Sequence, residues 1–264
     1  MDFKALTSQV IEIAQAAGIE ILKIYDDDSI AVEFKEDNSP LTQADKNAHN
    51  TIVKGLSEVS DLPILSEEAA DIAWSERNTW TSYWLVDPLD GTKEFVKRNG
   101  EFTVNIALIE NGEPVLGVVY APKLETLYYG AKGIGAQKVD SAGKTTDIEV
   151  SQNPDADSCW RVVGSRSHQS EEFKEFVKCF KSADIVSLGS SLKLCMVAEG
   201  AADIYPRLGL TSEWDTAAAQ AVVEAAGGQV INWETKEPLR YNTKESLLNP
   251  YFIVCPEKSS VWLS

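Results

Sequence analysis

Leu6, Val10, Ile13, Ala17, Ile21 and Ile24 recur at helical spacing, so residues 2–25 are predicted to form an amphipathic helix that ends at a polar break, Asp26-Asp27-Asp28-Ser29. Ile30 to Lys35 alternates like a strand, and Asp37-Asn38-Ser39-Pro40 turns the chain. A second helix starts near Thr42, with Ala48, Ile52, Val53 and Leu56 on its apolar face. From Tyr83 to Val139 the pattern changes to short β-rich runs: Tyr83–Val86, Phe102–Ile109, Pro114–Ala121, Glu125–Ala131 and a stretch ending at Ala136–Val139. The turns between them, at Asn111-Gly112 and Asp140-Ser141-Ala142-Gly143, predict a largely antiparallel sheet. The second half alternates. Strands are expected within Arg161–Ser165, Asp184–Ser187, Ala202–Pro206, Gly228–Asn232 and Tyr251–Val254, with helices at about 169–181, 190–200 and 214–226. No internal repeat or low-complexity linker interrupts the chain, so residues 1–145 and 146–264 are expected to be two tightly packed subdomains that meet near 140–150.

With 264 residues, 44% hydrophobic and 25% charged, the composition is that of a globular protein with a large core. The net charge of −17 argues against a nucleic-acid groove or an anionic membrane surface, both of which need clustered Lys and Arg. It suits metal binding. Asp2, Gln9 and Glu12 interrupt the apolar stretch that a secretion signal would need, and the runs Thr103–Ile109 and Pro114–Tyr120 are too short to span a membrane. Cys159, Cys179, Cys195 and Cys255 are widely spaced with no CxxC pair, and are read as reduced core residues of a cytoplasmic protein.

The most informative stretch is Trp84-Leu85-Val86-Asp87-Pro88-Leu89-Asp90-Gly91-Thr92-Lys93-Glu94-Phe95. An apolar strand ends, and two carboxylates follow across a proline turn. Pro88 fixes φ and Gly91 permits a sharp turn, so both acids can point into the crevice at the strand end, or simply cap a surface turn. Residues 91–97 can begin a helix whose first amides would face the same crevice and could hold an anion. Three other acidic segments each admit an ordinary reading. Ser66-Glu67-Glu68 follows a short apolar segment and can be a solvated loop. Asp215, in Glu213-Trp214-Asp215-Thr216-Ala217-Ala218-Ala219, can be a helix-capping acid, and Asp45, three residues after Thr42, can complete a capping box.

Taken in order, Asp45, then Ser66-Glu67-Glu68, then Asp87-Pro88-Leu89-Asp90-Gly91-Thr92, then Trp214-Asp215-Thr216 before the stop at Ala226-Gly227-Gly228, the chain resembles the magnesium-dependent, lithium-sensitive phosphatase superfamily that includes inositol monophosphatase. Within it, DGTKEF followed by KRNGEFTVNIAL, then GSSLK, AEG and YPR, is similar to the bacterial 3'(2'),5'-bisphosphate nucleotidases; inositol monophosphatases usually read DGTTNF at the first of these sites. The resemblance implies a layered αβαβα sandwich, an α/β (α+β) fold. It implies that Glu67, Asp87 and the Leu89 carbonyl hold one Mg²⁺, that Asp87, Asp90 and Asp215 hold a second, and that a third, weak ion near Glu67 stays open. It also implies that Thr92, paired with Asp45, directs the proton of a metal-activated water. Leu89, Asp90, Gly91, Thr92 and Asp215 would meet the reacting phosphate, while His168, Ser190, Lys193 and Arg207 would line the site for the nucleotide's second phosphate and base, with Gly189 allowing close backbone approach. One departure is visible: alanine follows Glu68 where many relatives carry another acid.

The chemistry agrees with an oxygen-ligated cation. Phosphomonoester hydrolysis brings water to a phosphorus shielded by anionic oxygens, which divalent metals neutralise. Mg²⁺ takes oxygen ligands, and two His (His49, His168) with no CxxC argue against zinc. The expected activity is hydrolysis of adenosine 3',5'-bisphosphate to AMP and phosphate, with dephosphorylation of the activated sulfate donor as an extension. An inositol or sugar phosphatase on the same scaffold is the nearest alternative, and a non-catalytic metal- or nucleotide-binding protein the more distant one. The partner is a small-molecule nucleotide rather than a nucleic acid. Monomer or dimer, and peripheral association with the cytoplasmic face of the inner membrane, stay open.

Overall fold

The structure, a computed structural model, describes residues 2–27, 40–165 and 170–263. The strand expected at Ile30–Lys35 and the turn before Pro40 lie outside them. Helix α1 (Phe3–Tyr25) begins at Asp2, whose carboxylate accepts the amides of Lys4 (3.0 Å) and Ala5 (3.3 Å). Helix α2 (Pro40–Val59) has proline at its first position, where no intrahelical N–H is needed. A seven-stranded sheet follows, in sequential order: β1 (Ile64–Ser66), β2 (Ser82–Asp90), β3 (Thr103–Glu110), β4 (Glu113–Ala121), β5 (Thr126–Ala131), β6 (Gly135–Val139) and β7 (Thr145–Ile148). Short helices α3 (Trp74–Arg77) and α4 (Thr92–Val96) flank β2. Every pairing is antiparallel except β1 with β2. Asn111 and Gly112, both at positive φ, make the β3–β4 turn, as their types predict.

The second half supplies β8 (Cys159–Val163), α5 (Glu171–Val177), β9 (Ser182–Val186), α6 (Leu192–Ala198), β10 (Tyr205–Arg207), α7 (Ala217–Ala225), β11 (Gln229–Asn232), β12 (Phe252–Cys255) and α8 (Ser260–Leu263). Strands β10, β12 and β11 form one sheet, β8 and β9 pair in parallel, and a bridge from Val162 to Ile204 joins the two groups. The helices are shorter than their apolar periodicity suggests.

Period-two alternation sorts the core into layers. Trp84, Val86, Val104, Ile106, Leu108, Leu116 and Val118 face α1 and α2. Tyr83, Leu85, Ala107, Ile109 and Val119 face α6 and α7, which pack in turn on Tyr205, Val230, Phe252 and Val254. The outer face of that smaller layer, with Trp160, Val162, Ile204, Ile231 and Ile253, is covered by Phe173 and Phe176 of α5 and Trp262 of α8. The order is therefore αβαβα. The alanines of α7 have a packing reason: a Cβ on Gly117 of β4 would lie 2.0 Å from the Ala218 carbonyl oxygen, so helix and sheet touch backbone to backbone.

Among the described residues no helix is long and apolar enough to cross a membrane. All four cysteines are free, yet only Cys195 and Cys255 are buried. Cys159 and Cys179 are exposed, at the start of β8 and after α5, which corrects the expectation of four core thiols.

Candidate active site

The parallel pairing of β1 and β2 sets the site. Ser66 lies opposite Val86, so Glu67, just past the end of β1, comes beside Asp87. Strand β2 does not stop at Val86 as its sequence suggests. It runs on to Asp90 with an irregular register, Asp87 opposite Asn105 and Asp90 opposite Thr103, three residues of advance against two. Pro88 sits in this bulge, where a missing N–H costs nothing, and the Leu89 amide turns back to Asp87 Oδ1 at 3.0 Å. Gly91, at φ 94°, completes the reversal, and a Cβ there would meet Ser190 Oγ at 2.0 Å. Helix α4 starts at Thr92 and is pinned by Phe95, packed against Tyr25 and Phe102 at ring distances of 5.1 and 5.3 Å.

Asp215 arrives from the other half of the chain, in a short 3₁₀ turn (Glu213–Asp215) before α7. Its Oδ2 accepts the Ser212 amide at 2.9 Å in a capping box, so it does cap, and still reaches the cluster. One carboxylate oxygen from each of Asp87, Asp90 and Asp215 lies within 4.8 Å of the others.

This acidic set is poorly compensated by the protein itself. Asp87 is 1% exposed, and its carboxyl is held well above the usual carboxylate range by burial and by the charges of Asp90, Glu67, Asp215 and Asp45. Burial pushes Asp215 up to about 7, with Asp90 and Glu67 adding to it and Arg207 opposing. Burial also raises Asp90, against the Lys193 charge and hydrogen bonds from Ser191. The outer side of Glu67 is open to solvent, yet desolvation of its carboxyl still raises it, partly offset by a contact with Asp87. Such an all-oxygen set of like charges fits a hard divalent cation.

Asp45 does not complete a capping box, the ordinary reading that its spacing from Thr42 allowed. Helix α2 begins at Pro40, so Thr42 is already inside the helix and Asp45 is in its second turn, buried and facing the cluster. Burial, then Glu68 and Glu67, pushes its carboxyl up to about 8, and its Oδ1 has no hydrogen-bond partner. Thr92 is exposed at the start of α4, and α2 packs on α4. Below Glu67, Ser66 Oγ and His49 Nδ1 are hydrogen-bonded at 2.8 Å.

Lys193 and Arg207 line one small cavity of about 200 Å³ with Ser165, Phe173 and Tyr205. Arg207 donates through Nη2 to the Leu210 carbonyl at 3.0 Å, and its Nε is buried without a partner. Ser190, at φ 50°, has its hydroxyl within reach of the carbonyls of Asp90 (3.0 Å) and Glu101 (2.7 Å), so it braces the β2–β3 connection. The close approach that Gly189 allows is to the chain itself, since a Cβ would meet Glu94 at 2.6 Å and the Glu101 carbonyl at 2.7 Å. His168 lies outside the described residues. Two residues that the sequence reading passed over join the cluster: Ser191, whose Oγ is 3.1 Å from Asp90 Oδ2, and Asn105, whose amide reaches that hydroxyl at 2.9 Å. The available signal was one amide side chain inside the apolar run Phe102–Ile109.

A family model described as the inositol monophosphatase family matches residues 2–260. The 3'(2'),5'-bisphosphate nucleotidase CysQ of Salmonella typhimurium is 48% identical over 252 residues, covering 94% of this chain and 99% of that protein. The protein of the same name from Escherichia coli K12 is 48% identical over 251 residues, with the same coverage. Among solved structures, CysQ from Bacteroides thetaiotaomicron, a bacterial member of that family, superposes with a TM-score of 0.89 at 43% identity, covering 97% of this chain and 99% of that one. An inositol monophosphatase from Anabaena gives 0.75 at 25% identity, covering 97% and 92%. The chain belongs to the inositol monophosphatase family.

Proposed function

We propose that this protein is a magnesium-dependent phosphatase that hydrolyses adenosine 3',5'-bisphosphate to AMP and phosphate, clearing a by-product of sulfate activation in the cytoplasm. The observation that carries the reading is the convergence of Asp87, Asp90 and Asp215 from both halves of the chain within 4.8 Å. The relatives named for this activity, 48% identical over nearly their whole length, support the choice of substrate. Glu67, Asp87, the Leu89 carbonyl, Asp90 and Asp215 would hold the magnesium, two ions with Asp87 serving both. When bound, the cations would offset the charge of the phosphoryl oxygens and acidify the attacking water.

The chain's own groups do the rest. Thr92 offers a hydroxyl to the attacking water but is too weak a base to take its proton alone. Asp45, with a buried and unpartnered carboxylate oxygen on the helix packed against α4, receives that proton through Thr92. The water oxygen bonds to phosphorus as the bond from the ribose 3' oxygen to phosphorus breaks, the 3' oxygen takes a proton from solvent, and AMP leaves. Lys193 and Arg207 hold the second phosphate in their shared cavity. Gly91 and the bulge before it keep Asp87, Asp90 and Thr92 at one end of β2, so the metal ligands and the hydroxyl that relays the proton are positioned by the same turn.

The test is phosphate release from adenosine 3',5'-bisphosphate and from inositol 1-phosphate side by side, with Mg²⁺ and with EDTA. Turnover of the nucleotide that EDTA abolishes is expected. Preference for the inositol ester would overturn the substrate and keep the metal site, and turnover of neither would overturn the catalytic reading.

A further inference from the structure

Ser191 is 1% exposed, and three groups from three separate elements converge on its hydroxyl oxygen. The Asn105 side-chain nitrogen, from β3, lies 2.9 Å away. Asp90 Oδ2, at the end of β2, is 3.1 Å away, and the Asp215 carbonyl oxygen, ahead of α7, is 2.8 Å away. A serine hydroxyl has one proton to give and lone pairs to receive with. Two of its three neighbours, a carboxylate and a backbone carbonyl, can only accept. The proton must therefore go to one of them, and the third neighbour has to be a donor, which requires the Asn105 amide to present its NH₂ group. The reverse orientation would place three acceptors around one hydrogen.

Asn105 is 1% exposed and lies directly opposite Asp87 in the β2–β3 ladder. The chain of contacts thus runs from the strand beside Asp87, through Ser191, to Asp90 and to the backbone of Asp215. These are the acidic residues that the two halves of the molecule bring within 4.8 Å of one another. Their mutual repulsion pushes them apart, and a neutral hydroxyl that touches two of the three segments opposes that without adding charge.

We propose that Ser191, oriented by Asn105, is a positioning residue that joins the Asp90 carboxylate to the Asp215 backbone and so presets the spacing at which the two halves take up a divalent cation. The inference rests on the metal-ligand reading given under Proposed function. Neighbours that orient first ligands typically change metal affinity by about 10–100-fold when removed. Ser191→Ala should therefore weaken binding of the metal by about 10-fold or more, and Asn105→Ala should act in the same direction by a smaller factor. Because both act through one hydroxyl, the double variant should bind no more weakly than Ser191→Ala alone.

The experiment is direct titration of the full-length protein with Mn²⁺, followed by electron paramagnetic resonance and calorimetry, with thermal melts in EDTA to compare folding. Weakened Mn²⁺ affinity in Ser191→Ala, with a non-additive double variant, is the expected result. Wild-type affinity in Ser191→Ala overturns the proposal and leaves the metal site standing. A wild-type protein that binds no Mn²⁺ overturns the metal site and the proposal with it. If Ser191→Ala fails to fold, Asn105→Ala carries the same test: unchanged affinity there overturns the orienting role, and weakened affinity supports it.

Discussion

Asp87 and Asp203 are equally buried, each 1% exposed, and their surroundings are opposite. Asp203 receives the Arg161 amide at 2.7 Å, its Nε at 3.2 Å and its Nη2, together with Ser151 Oγ at 3.1 Å. Both oxygens are satisfied by the protein, and the pair fastens the segment before β10 to β8. Asp87 receives one amide, from Leu89, and otherwise faces the carboxylates of Asp90, Glu67, Asp215 and Asp45. A buried charge left without a partner costs several kcal/mol, so such a group either takes up a proton or is compensated by something outside the polypeptide. Burial alone therefore does not mark a functional acid. A deficit of donors does.

The sharpest way to break that contrast is to neutralise each acid in turn. Asp87→Asn should lower phosphatase activity by about 10³-fold or more, since it removes the ligand that the cations would share. In EDTA the same variant should melt at a higher temperature than wild type, because it relieves repulsion. Asp203→Asn should leave Mg²⁺ affinity unchanged and lower stability by an amount near the lower end of about 3–5 kcal/mol, Arg161 being partly solvated. A loss of stability in metal-free Asp87→Asn would remove the distinction.

Thr92→Ala comes next in size. It should reduce kcat by about 10²–10⁴-fold while the Mg²⁺ dissociation constant holds, which separates proton handling from ligation. Activity equal to wild type would sink the proposed role of Thr92 and Asp45.

Stability against pH sharpens the comparison further. In the metal-free protein the folded-state values for Asp45 (about 8) and Asp215 (about 7) lie above the ordinary value of 3.8. The folded state then binds more protons than the unfolded chain across that window. The associated stability is present in full below about pH 4 and is lost as pH rises through 7 to 8. Melting temperature in EDTA should therefore fall between pH 5 and pH 8, and Mg²⁺ should restore most of it at pH 8. A flat profile in EDTA would mean that the cluster is compensated by the protein after all.

The smallest effect is expected in the neighbouring cavity. Lys193→Ala or Arg207→Ala should raise KM for the nucleotide by about 10-fold, the size of one lost charge-assisted hydrogen bond, and leave turnover of inositol 1-phosphate unchanged. Equal effects on both substrates would place these cations on the reacting phosphate instead.

Much of this was legible before the fold was known. Apolar spacing located α1 and α2, the β-rich runs gave β2 to β6, and the turn residues Asn111 and Gly112 fell where expected. The acids were legible for a local reason: Asp87 and Asp90 share one strand end, Glu67 sits where an apolar segment gives way to a turn, and Asp215 sits in the turn that opens an alanine-rich helix. Asp45 was ambiguous from sequence because a capping acid and a buried acid look alike until the helix start is known.

What the amino-acid order determined by itself was the set of available groups and the local geometry that follows from them: helix faces, the Pro88 and Gly91 backbone, and a surplus of acids without matching bases. Only the tertiary structure decided which of those acids meet. The parallel pairing of β1 with β2 puts Glu67 beside Asp87, and the Asp215 turn closes on Asp90 from the far half of the chain. It also decided that Ser190 and Gly189 brace the β2–β3 connection, and that Ser191 stands between Asp90 and Asp215. The contacts of Ser190 and Ser191 with Asp90 join segments about a hundred residues apart and are made where layers pack. No short-range pattern encodes such contacts, because the free energy that forms them comes from burying the sheet faces around them rather than from the residues that touch.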